Sequence, residues 1–147
     1  MVKIRPTTAN DRLTTRKMVL HERLDPTSLN WRNFLIAEQD GQIIGIGQIK
    51  SYPGCRELGS LVVLKSYKKQ GIASRLITAL EDQSSYPLYL LCGSHLEAFY
   101  SRFGYQVIAW RNAPTALKLK LIPTLLFRLF GIHVLVMQKL RRGGMGI

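Results

Sequence analysis

Acidic residues are scarce in this 147-residue chain: nine Asp and Glu stand against 21 Lys and Arg, and none follows Glu97. The formal charge of +12 attracts polyanions, whether nucleic acid, an anionic membrane surface or the phosphates of a cofactor, and composition does not choose among them. Cysteine is nearly missing. Cys55 and Cys92 lie 37 positions apart with no C-x-x-C spacing, which argues against a zinc site and a disulfide framework and fits a reducing compartment. Long apolar runs are missing too. The most lipid-like stretch, residues 121–137, is interrupted by Pro123, Arg128 and Gly131 and is shorter than the roughly 20 residues a spanning helix needs. Met1-Val2-Lys3-Ile4-Arg5-Pro6 enters directly into alternating residues with no apolar h-region, so no export signal and a cytoplasmic location are expected.

What is present is the composition of a globular protein, 46% hydrophobic, at a length that buries a core as one domain spanning residues 1–147. Residues 2–7 read as a strand. A helix capped by Thr8 or Asn10 follows to about Leu24, with Leu13, Lys17, Leu20 and Leu24 on one stripe, and Asp25-Pro26 stops it. Two apolar segments flank Asp40-Gly41, the pair a type I′ turn prefers, which predicts a hairpin. After the turn at Tyr52-Pro53-Gly54, residues 57–64 read as a third sheet strand, residues 71–83 as a helix with Ala73, Leu76, Ile77 and Leu80 inward, and residues 87–92 as a strand covered on both faces. A short helix over 96–102 ends at Gly104, and residues 105–110 return as a strand.

The tail is less regular. Leu117-Lys118-Leu119-Lys120-Leu121 alternates like a strand, Pro123 at a first helical position opens a helix over 124–130, and residues 133–137 read as a closing strand. Residues 143–146, Gly-Gly-Met-Gly, look like a loose end. Hairpin strands followed by alternating strands and helices predict a mixed α/β sheet.

The chemistry-bearing stretch lies between the strand ending at Leu64 and the helix opening near Gly71. Lys68, Lys69 and Gln70 lead into Gly71, Ile72, Ala73 and Ser74, so the free N–H groups of a helix start, two lysines and a close-approach glycine converge as an anion site. The spacing Lys68-x-x-Gly71-x-Ala73 resembles the signature of the GNAT superfamily of N-acetyltransferases, which has Arg or Gln where Lys68 stands. Ala98-Phe99-Tyr100-Ser101-Arg102-Phe103-Gly104-Tyr105 resembles the later motif of that family, with a tyrosine four residues before Gly. The P-loop and the dinucleotide fingerprint are both missing.

The resemblance implies a mainly antiparallel central sheet flanked by helices, the acyl-CoA N-acyltransferase fold, with acetyl-CoA as acyl donor and an amine as acceptor. It implies that the cofactor arm runs beside Leu61, Val62 and Val63, that a backbone N–H there meets the thioester carbonyl, and that Tyr100 protonates the leaving thiolate. Glu57 matches a position where family members carry a carboxylate acting as base through water; the other reading is a surface charge. His95 is a further base candidate or a helix cap. Cys92 reads as a core thiol. No metal ligand set is expected.

Residues 112–132 form an apolar, basic insert. One reading has it shape the acceptor pocket, with Lys118 and Lys120 favouring a carboxylate or phosphate on the acceptor; the other has it cover an open sheet face or a homodimer seam. Two non-catalytic readings stand beside the enzyme. One is an acetyl-CoA sensor with the same fold; the other is a basic nucleic-acid module, which no recognition motif supports.

Overall fold

The computed structural model describes residues 1–22, 24, 26–27 and 29–142. Asp25 of the expected helix stop and the loose end at 143–146 lie outside the described residues. The fold is mixed α/β, as expected. Seven strands follow the order β1-β2-β3-β4-β5-β7-β6, namely β1 (Lys3–Pro6), β2 (Phe34–Gln39), β3 (Gln42–Tyr52), β4 (Cys55–Val63), β5 (Leu88–Gly93), β6 (Gln106–Ile108) and β7 (Val134–Lys139). The helices are α1 (Arg12–His21), α2 (Ile72–Asp82), α3 (Glu97–Ser101) and α4 (Thr115–Thr124). β4 pairs with β5 in parallel at Glu57↔Tyr89, and the pairings of β1 with β2, β2 with β3, β5 with β7 and β6 with β7 are antiparallel. The chain divides into two compact units, Met1–Lys50 with Leu58–Ser84, and Ser51–Glu57 with Ser85–Ile147.

In the first unit the hairpin turn is where it was expected, with Asp40 at φ 52° and Gly41 at φ 78°, the positive values a type I′ turn requires. α1 packs on one sheet face, where Met18 and Val19 meet Phe34, Ile36, Ile46 and Val62. α2 packs on the other. A Cβ at Gly45 or Gly47 would press on Leu76 or Leu80 of α2 at 3.1 and 3.0 Å, and alternate strand residues face opposite ways. Arg5 ties β1 to the start of α1 and to β2, donating to Asp11 at 2.9 Å and to Glu38 at 3.0 Å. The Asp11 carboxyl is held down at about 2, chiefly by the Arg5 hydrogen bond.

The expected stripe of α1 is wrong. Leu13 and Leu20 are 63% and 51% exposed, and the buried positions are Asp11, Thr15, Met18 and Val19. These follow an i, i+4, i+7, i+8 spacing in which two polar residues are satisfied locally. Thr15 Oγ1 donates to the carbonyls of Asp11 and Arg12, and Asp11 accepts from Arg5.

In the second unit, Leu117 and Leu121 of α4 pack with Cys55, Ala113 and Val136. The expected strand over 117–121 is a helix. In a strand Leu117, Leu119 and Leu121 would share a face, but Leu117 and Leu121 are 0% and 7% exposed while Leu119 is 64% exposed. Pro123 accordingly lies in the last turn of α4, and a tighter 3-10 turn, Leu125–Phe130, follows it. β6 covers three residues of the six expected.

Candidate functional site

The loop between β4 and α2 has a geometry that could receive an anion. Lys65–Tyr67 form a 3-10 turn, Lys68 is extended, Lys69 turns left-handed at φ 63°, and Gly71 caps α2 at φ 79°. These reversals aim the loop backbone and the first N–H groups of α2 outward, and such groups have no intrahelical acceptor. Lys68, Lys69 and Gln70 are exposed and Ala73 is half-buried. A Cβ on Gly71 would meet nothing within 4 Å, so the space beside the helix start is open. That is a fit for a pyrophosphate: glycine is needed there for its φ, and the room it leaves belongs to no protein atom.

Within β4, Ser60 takes a left-handed φ of 53°, a conformation that costs a non-glycine residue about 1–2 kcal/mol. The buried Gln48 side chain of β3 holds it, donating from Nε2 to Ser60 Oγ at 2.9 Å. The kink precedes Leu61, Val62 and Val63. Val62 packs into the α1-side core, and the Leu61 side chain lies over Gly47 on the opposite face.

A cavity of about 270 Å³ opens under α1, lined by Arg12, Thr15, Arg16, Pro26, Leu29, Trp31 and Phe34. No carboxylate is among these residues, and neither guanidinium has a hydrogen-bond or ion-pair partner among the described residues. Trp31 is fixed on both sides: Thr7 Oγ1 donates to its carbonyl, and the Arg32 guanidinium lies 4.5 Å from its ring centroid. Phe34 pairs with Gln48, whose side chain meets Ser60, whereas the Leu64 N–H bonds to Ile44 O near the other end of β2. The cavity is therefore at the Ser60 end of β4 and the loop of residues 68–71 at the Leu64 end, about 13 Å apart along the strand. Sequence reasoning missed this cavity. The signal available was the Arg12, Arg16 spacing, which puts both on one helix face.

The second unit holds the two candidate proton-transfer residues. Glu57 is 4% exposed, which removes the surface-charge reading. Its Oε1 accepts from Lys120 Nζ at 2.7 Å and from Tyr52 Oη at 3.1 Å, and Lys120 Nζ also lies 3.1 Å from Tyr52 Oη. The environment is thus ionic. Lys120, expected to be free for an anionic acceptor, is committed to Glu57. Oε2 takes no hydrogen bond from a described residue.

Tyr100 on α3 packs edge-on to Phe99 and Tyr105, with ring centroids 5.0 and 6.2 Å away. Its hydroxyl makes no hydrogen bond to a described residue. Burial, with a lesser contribution from Cys92, pushes the phenol up to about 12. Cys92 itself is buried, lies 3.7 Å from the Met137 sulfur, and is pushed up to about 11 by burial. It is a protonated core thiol. His95 is exposed, and its ring folds back over Gly93, where a Cβ would meet it at 2.7 Å. It does not cap α3.

No cluster of His, Cys, Asp and Glu suited to a metal occurs among the described residues, and none of their helices is long and apolar enough to cross a membrane.

Residues 30–107, 78 of the 147, match the acetyltransferase (GNAT) domain family. No curated protein sequence matches the chain. Among solved structures, it is similar to N-acetylglutamate synthase from Neisseria gonorrhoeae complexed with coenzyme A and N-acetyl-glutamate, at 18% identity and a TM-score of 0.75. That similarity covers 97% of this chain and 36% of the synthase, so the chain spans about a third of the length of that protein. A GNAT-family acetyltransferase from Staphylococcus aureus is similar at 14% identity and TM-score 0.71, covering 95% and 99% of the two chains. Rv2747 from Mycobacterium tuberculosis, in complex with CoA, is similar at 14% identity and TM-score 0.69, covering 94% and 98%.

Proposed function

Because this chain belongs to the GNAT acetyltransferase family, we propose that residues 1–147 act as one N-acetyltransferase domain that takes acetyl-CoA as donor and a small amine bearing an anionic group as acceptor. The observation that carries the donor half is the left-handed turn at Lys69 and Gly71, which opens the start of α2 beside two exposed lysines. Lys68, Lys69 and the backbone of residues 70–74 hold the pyrophosphate. The backbone of residues 61–63, set off by the Ser60 kink, pairs with the pantetheine arm and offers an N–H to the thioester oxygen as charge develops there.

The cofactor supplies an activated acetyl group on sulfur. An acceptor amine in its neutral form makes the new N–C bond as the C–S bond breaks, so one proton leaves nitrogen and one is delivered to the departing thiolate. In our reading Tyr100 delivers that proton: its hydroxyl, without a hydrogen bond to a described residue, has a raised pKa that keeps it protonated at neutral pH. Glu57 collects the other through a water on Oε2, while Lys120 and Tyr52 fix the carboxylate through Oε1. Most of the acceleration comes from holding donor and acceptor together.

The acceptor class follows from the cavity under α1. Two guanidiniums with no partner among the described residues, and no carboxylate among the described lining residues, favour a carboxylate or phosphate, and in this reading the cavity sits at the end of β4 toward which an arm leaving the loop of residues 68–71 runs. The test combines thermal unfolding with and without acetyl-CoA and thiol release over amines sorted by charge. A hundredfold excess over Kd stabilises the fold by about 2.7 kcal/mol, a shift of several degrees. The expected result is that shift plus turnover concentrated on anionic amines and lost in Arg12→Ala with Arg16→Ala. A shift with no thiol release on any amine supports the sensor reading. No shift removes the donor assignment.

A further inference from the structure

α4 is apolar on two faces, and only one is used inside the protein. Leu117 and Leu121 are buried, while Leu119 (64% exposed), Ile122 (61%), Leu126 (65%), Leu129 (81%) and Phe130 (79%) open to solvent along α4 and the 3-10 turn Leu125–Phe130. The spacing 119, 122, 126, 129 is that of a continuous helical stripe. Lone exposed leucines are ordinary, but monomers seldom expose contiguous apolar patches beyond a few hundred Å² without a partner to cover them.

The charges on this stretch indicate which partner. From Thr115 to Phe130 the charged residues are Lys118, Lys120 and Arg128, and no acid occurs after Glu97. Lys120 turns inward to Glu57. Lys118, half-exposed, and Arg128, exposed, remain at the stripe. A second copy docked about a two-fold axis would bring the same cations together, with no carboxylate from this segment to offset them. An anionic lipid surface accepts both features at once: the apolar residues enter the acyl boundary and the cations meet the headgroups.

We propose that Thr115–Thr124 and Leu125–Phe130 form an apolar seat, flanked by Lys118 and Arg128, that lies in the plane of an anionic lipid bilayer and holds the protein at the membrane surface. The seat does not span the bilayer, in keeping with the helix lengths among the described residues. It does not depend on the acetyltransferase reading, since neither the phosphate loop nor the cavity contributes to it.

The test uses the full chain with vesicles of phosphatidylcholine alone or mixed with phosphatidylglycerol, read by co-sedimentation. Binding to the mixed vesicles is expected, with little to the neutral ones. Lys118→Ala with Arg128→Ala lowers the affinity roughly thirtyfold, at about fivefold per charge. Leu126→Gln with Leu129→Gln abolishes binding, and because both side chains point outward the variant keeps the wild-type unfolding midpoint. Failure to pellet with mixed vesicles, or equal pelleting with neutral ones, overturns the proposal. So does a lipid-free wild-type dimer that Leu126→Gln with Leu129→Gln converts to monomer, which would assign the stripe to a second copy.

Discussion

Tyr100, half-buried, and Glu57, buried, illustrate how two residues are prepared differently. Tyr100 is surrounded by rings and its hydroxyl has no hydrogen-bond partner among the described residues. Burial raises its pKa, because the phenolate would lose water without gaining a counter-charge. The proton is therefore retained through neutral pH and lost only as pH approaches about 12, so an acid built on Tyr100 has no alkaline limb in the physiological range. Tyr100→Phe keeps the aromatic packing and removes the proton. Turnover is expected to fall on the order of a hundredfold with acetyl-CoA affinity unchanged, and stopped-time thiol release across pH should show a uniform drop instead of a shifted profile. Unchanged turnover would make Tyr100 a packing residue. Glu57, in contrast, is pinned through one oxygen by Lys120 and Tyr52, which fixes where its second oxygen points. Nothing in the sequence around Glu57 announces Lys120, 63 positions later.

At the scale of elements, glycine positions separate geometry from ligand contact. Gly41 and Gly71 have nearly the same φ, 78° and 79°, and an added Cβ at either meets nothing within 4 Å. Alanine at either position therefore carries the same left-handed penalty, about 1–2 kcal/mol, seen as similar losses in denaturant midpoint. Only Gly71→Ala is expected to weaken acetyl-CoA, by tenfold or more, since its methyl enters the open space at the start of α2. Equal affinities for the two variants would mean that the space is not used. Both glycines were legible because turns and helix starts impose local demands that one residue type meets. α1 and α4 were misread for the opposite reason. Leu13 and Leu20 drew attention by their hydrophobicity, yet Arg5 and the helix backbone satisfy Asp11 and Thr15 and let a polar face turn inward. In α4 the Leu-Lys alternation fits a period of two as well as the buried pair Leu117, Leu121 fits a period of four. Only the neighbours Cys55 and Val136, distant in sequence, decide between them. The Arg12, Arg16 cavity was invisible on the same ground, since its far wall is Trp31 and Phe34.

For the whole molecule, the charge count overstates what is available to a polyanion. Eight cations follow Glu97 without an acid, but Lys120 is spent on Glu57, and Lys139 is buried with its ammonium 5.7 and 5.9 Å from the Tyr105 and Tyr86 ring centroids. Arg142 also has a partner, and five remain: Arg102, Arg111, Lys118, Arg128 and Arg141. Were all five to meet DNA phosphates, counterion release would make the affinity fall about five-hundredfold between roughly 50 and 200 mM salt. Acetyl-CoA, in the place proposed for it at the start of α2, would answer to a different physics. Fixed backbone N–H groups and a shaped turn contribute there beside the lysines, and such short-range contacts are screened far less than exposed charges. Thermal unfolding at the two salt concentrations should therefore retain the rise caused by saturating acetyl-CoA, while any rise caused by duplex DNA disappears at the higher one. Duplex that still stabilises the protein there and displaces acetyl-CoA would identify the loop at Lys68 and Lys69 as a general polyanion contact. The left-handed turn at Gly71 would then have no cofactor to account for it.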